Sequence, residues 1–130
     1  MSRVLIDTNA YSELMRGNGS IADVLNRHET VLLSPIVVGE LLEGFRNGTR
    51  ERENITILER FRGKPRTVSH AITDSTAEWF AEIKLMLRRK GEPIPINDVW
   101  IAASCMEHGA HILSLDAHFS RIDGLLRIIL

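Results

Sequence analysis

At 130 residues, with 44% hydrophobic and 25% charged residues, the chain has the size and balance of one folded domain with a full core. A formal net charge of -1 excludes a polycation that grips nucleic acid by bulk charge, so any such contact needs a local basic patch. A single cysteine, Cys105, excludes an intramolecular disulfide and fits a reducing cytoplasm.

Arg3-Val4-Leu5-Ile6 reads as a first strand, ended by Asp7-Thr8-Asn9. Its start does not have the form of a signal peptide. A short amphipathic helix or turn follows through Leu14 and Met15, and Gly17-Asn18-Gly19 breaks it. Ser20 is positioned to cap a helix carrying Ile21, Val24 and Leu25. Val31-Leu32-Leu33 is the second strand. Ser34-Pro35 then pairs an N-cap with proline at the first helical position, and Val38, Leu41, Leu42 and Phe45 recur at helical spacing until Asn47-Gly48. A polar helix is expected from Glu51 to Phe61, and a weak third strand at Thr67-Val68. Ser75-Thr76-Ala77-Glu78 has the form of a capping box ahead of Trp79, Phe80, Ile83, Met86 and Leu87; the first four are expected mostly in the core, and the apolar count of this helix also permits a dimer face. Gly91 ends that helix, and Pro93-Ile94-Pro95 is extended. Asn97 is expected to cap a helix with Ile101, Ala102 and a buried, unreactive Cys105, closed by His108-Gly109. His111 to Leu115 is the fourth strand, followed by a turn through Phe119 and an apolar strand from Leu126 to Leu130. No apolar run reaches the length of a membrane span.

Short apolar runs alternating with longer helical patterns predict an α/β fold: a three-layer α/β/α sandwich around a mostly parallel sheet of about five strands, in one domain over 1–130. In such sheets, ligands bind beyond the carboxyl ends of the strands. Asp7 follows the first strand and Asp116 the fourth. Glu40 lies in the second turn of the helix fed by the second strand, and Asp98 starts the helix after the Pro-Ile-Pro connector. Singly, each acid has an ordinary reading. Asp7 could be a cap, Asp98 a helix-start residue, Glu40 a solvated charge and Asp116 a turn former. Together at one rim they repel unless a cation joins them. Oxygen donors suit Mg²⁺ or Mn²⁺, and no thiolate cluster or histidine pair at ligand spacing competes for a softer metal. Such an ion with open positions suits phosphodiester hydrolysis.

Val4-Leu5-Ile6-Asp7-Thr8-Asn9, Ser34-Pro35-Ile36-Val37-Val38-Gly39-Glu40-Leu41, Asn97-Asp98-Val99-Trp100-Ile101-Ala102-Ala103 and Leu113-Ser114-Leu115-Asp116-Ala117-His118-Phe119 resemble, in order, the motifs of the PIN-domain family, and above all its VapC-type toxins. The resemblance implies a Mg²⁺- or Mn²⁺-dependent ribonuclease, with Asp7, Glu40, Asp98 and Asp116 as catalytic metal-binding residues, leaving a 5′-phosphate and a 3′-hydroxyl. Ser114 fills a place where threonine is more usual, and Asn9 matches a position near the site. The resemblance also implies a homodimer and a small VapB-type antitoxin that blocks the site with a C-terminal segment, often through an arginine.

Glu43, three residues after Glu40, is a candidate supporting acid, with a solvated surface charge as the simpler reading. His118 is assigned to solvent or substrate rather than metal, and Asp123 is left out of the site. From Arg46 to Arg66 seven basic residues face three acids, which makes Arg46, Arg50 and Arg52 candidates for RNA contact beside a repelling acidic site. Arg88-Arg89-Lys90 is a second basic run. Two other readings compete: a receiver-like phospho-acceptor domain, which would need a lysine near the last strand, and a non-catalytic RNA-binding protein of the same fold. A DNA-directed nuclease stands beside them.

Overall fold

The computed structural model describes residues 2–130. Five strands form one sheet: β1 (Arg3–Ile6), β2 (Thr30–Leu33), β3 (Thr67–Ser69), β4 (His111–Leu113) and β5 (Arg127–Ile128). Their spatial order is β3-β2-β1-β4-β5, and every pairing is parallel. Six α-helices make the connections: α1 (Thr8–Met15), α2 (Gly19–Asn26), α3 (Pro35–Arg46), α4 (Glu51–Arg62), α5 (Asp74–Lys90) and α6 (Ile96–His108). Val4, Leu5 and Ile6 are consecutive and all fully buried, so both faces of the central strand are covered. That is the expected three-layer sandwich.

The chain steps from β1 outward to β2 and β3, then returns to place β4 on the other side of β1. The connections therefore diverge between β1 and β4, and a crevice opens at their carboxyl ends. The Asp7 N–H donates to the Leu113 carbonyl at 3.2 Å, which carries the β1–β4 pairing to the lip of that crevice.

Several boundaries differ from expectation, each for a local reason. Helix α2 is capped by Asn18, not Ser20: the Asn18 side-chain oxygen accepts from the N–H groups of Ser20 (3.0 Å) and Ile21 (3.3 Å). The capping contact of α5 lies two residues earlier than Ser75. The Thr73 N–H donates to Thr76 Oγ1 at 3.1 Å, and the buried Thr76 hydroxyl donates to Glu107 at 2.7 Å, tying α5 to α6. Pro95, not Asn97, stands at the N-cap of α6. Strand β4 ends at Leu113, level with the end of β1, whose last paired residue is Ile6. A three-residue β4 can pair only Arg127 and Ile128, which leaves Ile129 82% exposed. Trp79 is not a core residue, being 38% exposed, whereas Phe80 stacks on Trp100 with centroids 4.0 Å apart. Gly91 and Gly109 end α5 and α6 in the left-handed region (φ 68° and 62°), as their positions require.

Cys105 is fully buried, and burial pushes its thiol pKa upward, which makes it a packing residue. Tyr11 packs edge-on against Phe61 with centroids 5.4 Å apart. Its hydroxyl is buried with no hydrogen-bond partner among the described residues, and burial pushes its pKa up to about 12. Removing an unpaired buried hydroxyl costs nothing in hydrogen bonding. Tyr11→Phe is therefore expected to leave the urea midpoint unchanged or raise it, while Phe61→Ala lowers stability by about 3–5 kcal/mol. Urea titrations followed by circular dichroism check both.

Candidate metal centre

The four acids predicted at the rim do converge. One cleft of about 450 Å³ is lined by Asp7, Thr8, Asn9, Glu40, Asn97, Asp98, Asp116 and His118, with Pro95, Ile96 and Ile101 as its apolar wall. Each acid arrives on a different element. Asp7 is the N-cap of α1, Glu40 lies on α3, Asp98 is in the first turn of α6, and Asp116 precedes a short 3-10 helix, Ala117–Arg121. A cleft of similar size between α2 and the C-terminal residues contains a single acidic side chain, Asp23, and gathers no such cluster.

Asp7 is both cap and cleft residue, so its two readings hold together. Its Oδ1 accepts from the Ala10 N–H at 2.9 Å, and its Oδ2 accepts from the Ser114 hydroxyl. Ser114 Oγ in turn accepts from the Asp116 N–H at 3.0 Å, so one hydroxyl joins two of the acids. Asn9 donates to Asp116 Oδ2 at 3.2 Å. Ser114 and Asn9 thus stand where the sequence placed them, beside the acids.

Two holders of Glu40 escaped sequence reasoning. Thr8 Oγ1 donates to Glu40 Oε1 at 2.6 Å, and Asn97 Nδ2 donates to Glu40 Oε2 at 3.3 Å. Both residues lie inside the quoted motifs, next to an acid, which is the signal that could have found them. His118, assigned to solvent or substrate, instead approaches Asp98. Glu43 is exposed on a shallow cleft that it shares with Glu40 and Asn97, and its side chain makes no hydrogen bond or ion pair among the described residues. Asp123 pairs with Lys90 at 3.0 Å, away from the acids.

The acids of this cleft face one basic side chain, His118, beside Asp98. No lysine or arginine lines the cleft. Asp7 is only 3% exposed, and burial, helped by the Asp116 and Asp98 charges, pushes its pKa up to about 6 against the bonds from Ser114 and Ala10. Burial also raises the Asp98 pKa, with Glu40 and Asp116 adding to the rise and His118 opposing it. One atom each from Asp98, Asp116 and His118 lies within 4.8 Å of the others. Hard oxygen donors around a pocket that lacks any fixed cation fit a divalent ion such as Mg²⁺ or Mn²⁺. The missing lysine also removes support for a phospho-acceptor domain.

The Asp7 shift has a definite sign in stability. Without metal, the folded chain keeps the Asp7 proton up to about pH 6, whereas an ordinary carboxyl loses it near 3.8. The folded state binds more protons between those values, so stability falls as pH rises through that window. In EDTA, Asp7→Asn should therefore be more stable than wild type at pH 7.5, by up to about 3 kcal/mol, and the gap should close toward pH 4. Thermal melts across that range test it, since asparagine can still cap α1.

The PIN domain family model matches residues 4–125, almost the whole chain. The chain is 37% identical over 129 residues to VapC ribonuclease Mb1587 of Mycobacterium bovis, with 92% of this chain and 90% of that protein covered. Ribonuclease VapC11 of Mycobacterium tuberculosis matches to the same extent. Among solved structures, VapBC2 from Rickettsia felis bound to a promoter DNA fragment superposes with a TM-score of 0.88 over 97% of both chains, at 22% identity. VapC20 of Mycobacterium tuberculosis, described as a toxin that cleaves the sarcin-ricin loop, gives 0.73 over 96% of this chain and 98% of that one, at 17% identity. At those identities the structures speak for the fold; the family model and the mycobacterial relatives speak for descent. The chain belongs to the PIN-domain family, alongside the VapC ribonucleases.

Proposed function

We propose that this chain is a metal-dependent endoribonuclease that acts as the toxin of a type II toxin–antitoxin pair and hydrolyses RNA phosphodiester bonds at the four-carboxylate cleft. The observation that carries the reading is the convergence of Asp7, Glu40, Asp98 and Asp116 on one cleft with no lysine or arginine to neutralise them. Mg²⁺ is the proposed ion, with Mn²⁺ as its substitute. Bound there, it supplies the positive charge that favours water attack on a phosphodiester and stabilises the extra negative charge of the transition state.

The protein's own part is placement. Asp7, Asp98 and Asp116 hold the ion directly or through water. Glu40, fixed at both oxygens by Thr8 and Asn97, binds the ion or orients the attacking water. Ser114 holds Asp7 and the Asp116 backbone in one geometry. Glu43 stays outside these contacts and has a supporting role only through the neighbouring shallow cleft.

An acidic centre repels RNA, so cations must sit beside it. Helix α1 begins at the site with Thr8 and Asn9, and its Ser12 and its C-cap Arg16 line a second cleft that Arg50 and Asn54 share. Arg46 and Arg50 make only exposed ion pairs, to Glu51 at 3.6 Å and Glu53 at 4.0 Å, which hold them weakly. Arg52 is exposed and has no ion pair among the described residues. Arg66 belongs elsewhere: it donates to the Leu25 and His28 carbonyls and ties the approach to β3 onto the end of α2. The basic segment therefore divides into a structural member and a free set for RNA.

A VapB-type antitoxin is the proposed partner, its arginine supplying the cation the cleft lacks. A homodimer is proposed with it, and exposed Trp79 and Leu85 offer apolar surface on α5. No helix among the described residues is long and apolar enough to cross a membrane, and a cytoplasmic site of action goes with this reading.

Two experiments test the proposal. Inducing the protein in cells and mapping new RNA 5′ ends should show discrete cleavage sites, absent with Asp7→Asn. In vitro the same variant should fall below about one-hundredth of the wild-type rate, and EDTA should silence wild type until Mg²⁺ or Mn²⁺ is restored. Full activity in folded Asp7→Asn would sink the assignment. Separately, reversing Arg50 and Arg52 to glutamate should weaken RNA binding about tenfold or more at low salt and flatten its salt dependence.

A further inference from the structure

The four acids do not account for every polar atom aimed into the cleft. His118 lies two residues after Asp116, in the 3-10 helix Ala117–Arg121, and lines the same cleft. Its ring rests against the fully buried Phe119, with centroids 5.0 Å apart, so the imidazole is held rather than free. His118 Nε2 stands 2.7 Å from Asp98 Oδ2, and the two side chains are only 20% and 16% exposed. That distance is in hydrogen-bond range, and His118 opposes the rise in the Asp98 pKa. Nε2 is shut off from solvent and meets no other hydrogen-bond partner among the described residues.

A nitrogen and a carboxylate oxygen at this distance form a pair in the absence of metal, and they also stand as close as two neighbouring ligands of one ion. Adjacent donors around an octahedral Mg²⁺- or Mn²⁺-sized ion stand about 3 Å apart, given bonds of about 2.1 Å. Asp116 completes the group, since one atom from each of the three residues lies within 4.8 Å of the other two. No other histidine lines the cleft.

We propose that His118 Nε2 is a direct ligand of the divalent ion, beside Asp98 and Asp116, and that this nitrogen donor biases the site toward Mn²⁺ over Mg²⁺. The inference rests on the metal-centre reading above and adds a donor of different chemistry to it. Mg²⁺ strongly prefers oxygen, whereas Mn²⁺, a transition-metal ion, accepts imidazole. An all-oxygen set would discriminate between the two ions far less.

The test uses the full chain with Mn²⁺ alone, in a buffer free of imidazole and amines. Electron spin echo spectroscopy of bound Mn²⁺ should show modulation from one directly coordinated ¹⁴N in wild type and none in His118→Ala. By titration, His118→Ala should weaken Mn²⁺ binding about tenfold or more while changing Mg²⁺ binding less than about twofold. Bound Mn²⁺ without nitrogen coupling in wild type would overturn the inference and leave the metal centre standing; that measurement needs no variant to fold. Equal weakening of both ions would also overturn it, since His118 would then act only by positioning Asp98. If wild type binds no Mn²⁺, or if Asp98→Asn binds it undiminished, the metal-centre reading itself fails and takes the inference with it.

Discussion

Asp7 is a carboxylate buried where nothing positive meets it. It sits at the carboxyl end of the central strand, next to β4, where the order of the sheet reverses and the crevice opens. It also caps α1, accepting from the Ala10 N–H at 2.9 Å, so the start of that helix and the cleft share one side chain. The same side chain therefore stabilises a helix start and brings a poorly solvated charge into the cleft. The two effects oppose each other, and the balance shifts with protonation or with a bound cation.

The surrounding residues orient the acids without neutralising them. Ser114 serves Asp7 and the Asp116 backbone, Asn9 serves Asp116, and Thr8 and Asn97 serve Glu40. All are neutral hydrogen-bonding groups. A lysine or arginine in any of these places would lower the electrostatic strain and would also remove the reason for a metal to bind. The frame fixes direction while leaving net negative charge for an ion, which is the order in which a preformed site has to be built. His118 belongs to this frame by position but differs in chemistry, being the one ring nitrogen among oxygen donors.

Charge of the opposite sign is kept at a distance. Arg16 and Arg50 share a cleft one to two turns along α1 from the acids, and the exposed arginines near the α3–α4 junction are held only by exposed pairs. A chain with almost no net charge thus separates its charges in space: acids in the crevice, arginines beside it. An anionic polymer would be attracted to the flank and repelled at the centre until an ion is present there.

The α/β class, the helix cores and the four acids were legible in the sequence because each rests on a local pattern: apolar runs, 3.6-residue spacing, and an acid at the end of a strand or the start of a helix. Ser114 and Asn9 were legible only through the company of family-like motifs. What the sequence could not decide was pairing across the chain. Nothing in its local pattern says that Asn97 bonds Glu40 rather than capping its own helix, that Thr73 and Thr76 rather than Ser75 make the capping contact of α5, that Trp79 faces water, or that His118 turns to Asp98. Those outcomes depend on which elements the sheet order brings side by side: β4 beside β1, and the start of α6 against α3. Composition and periodicity determined the elements and the kind of chemistry. The return of the chain past β1 decided the site, because only that crossing brings residues 7, 40, 98 and 116 into one cleft.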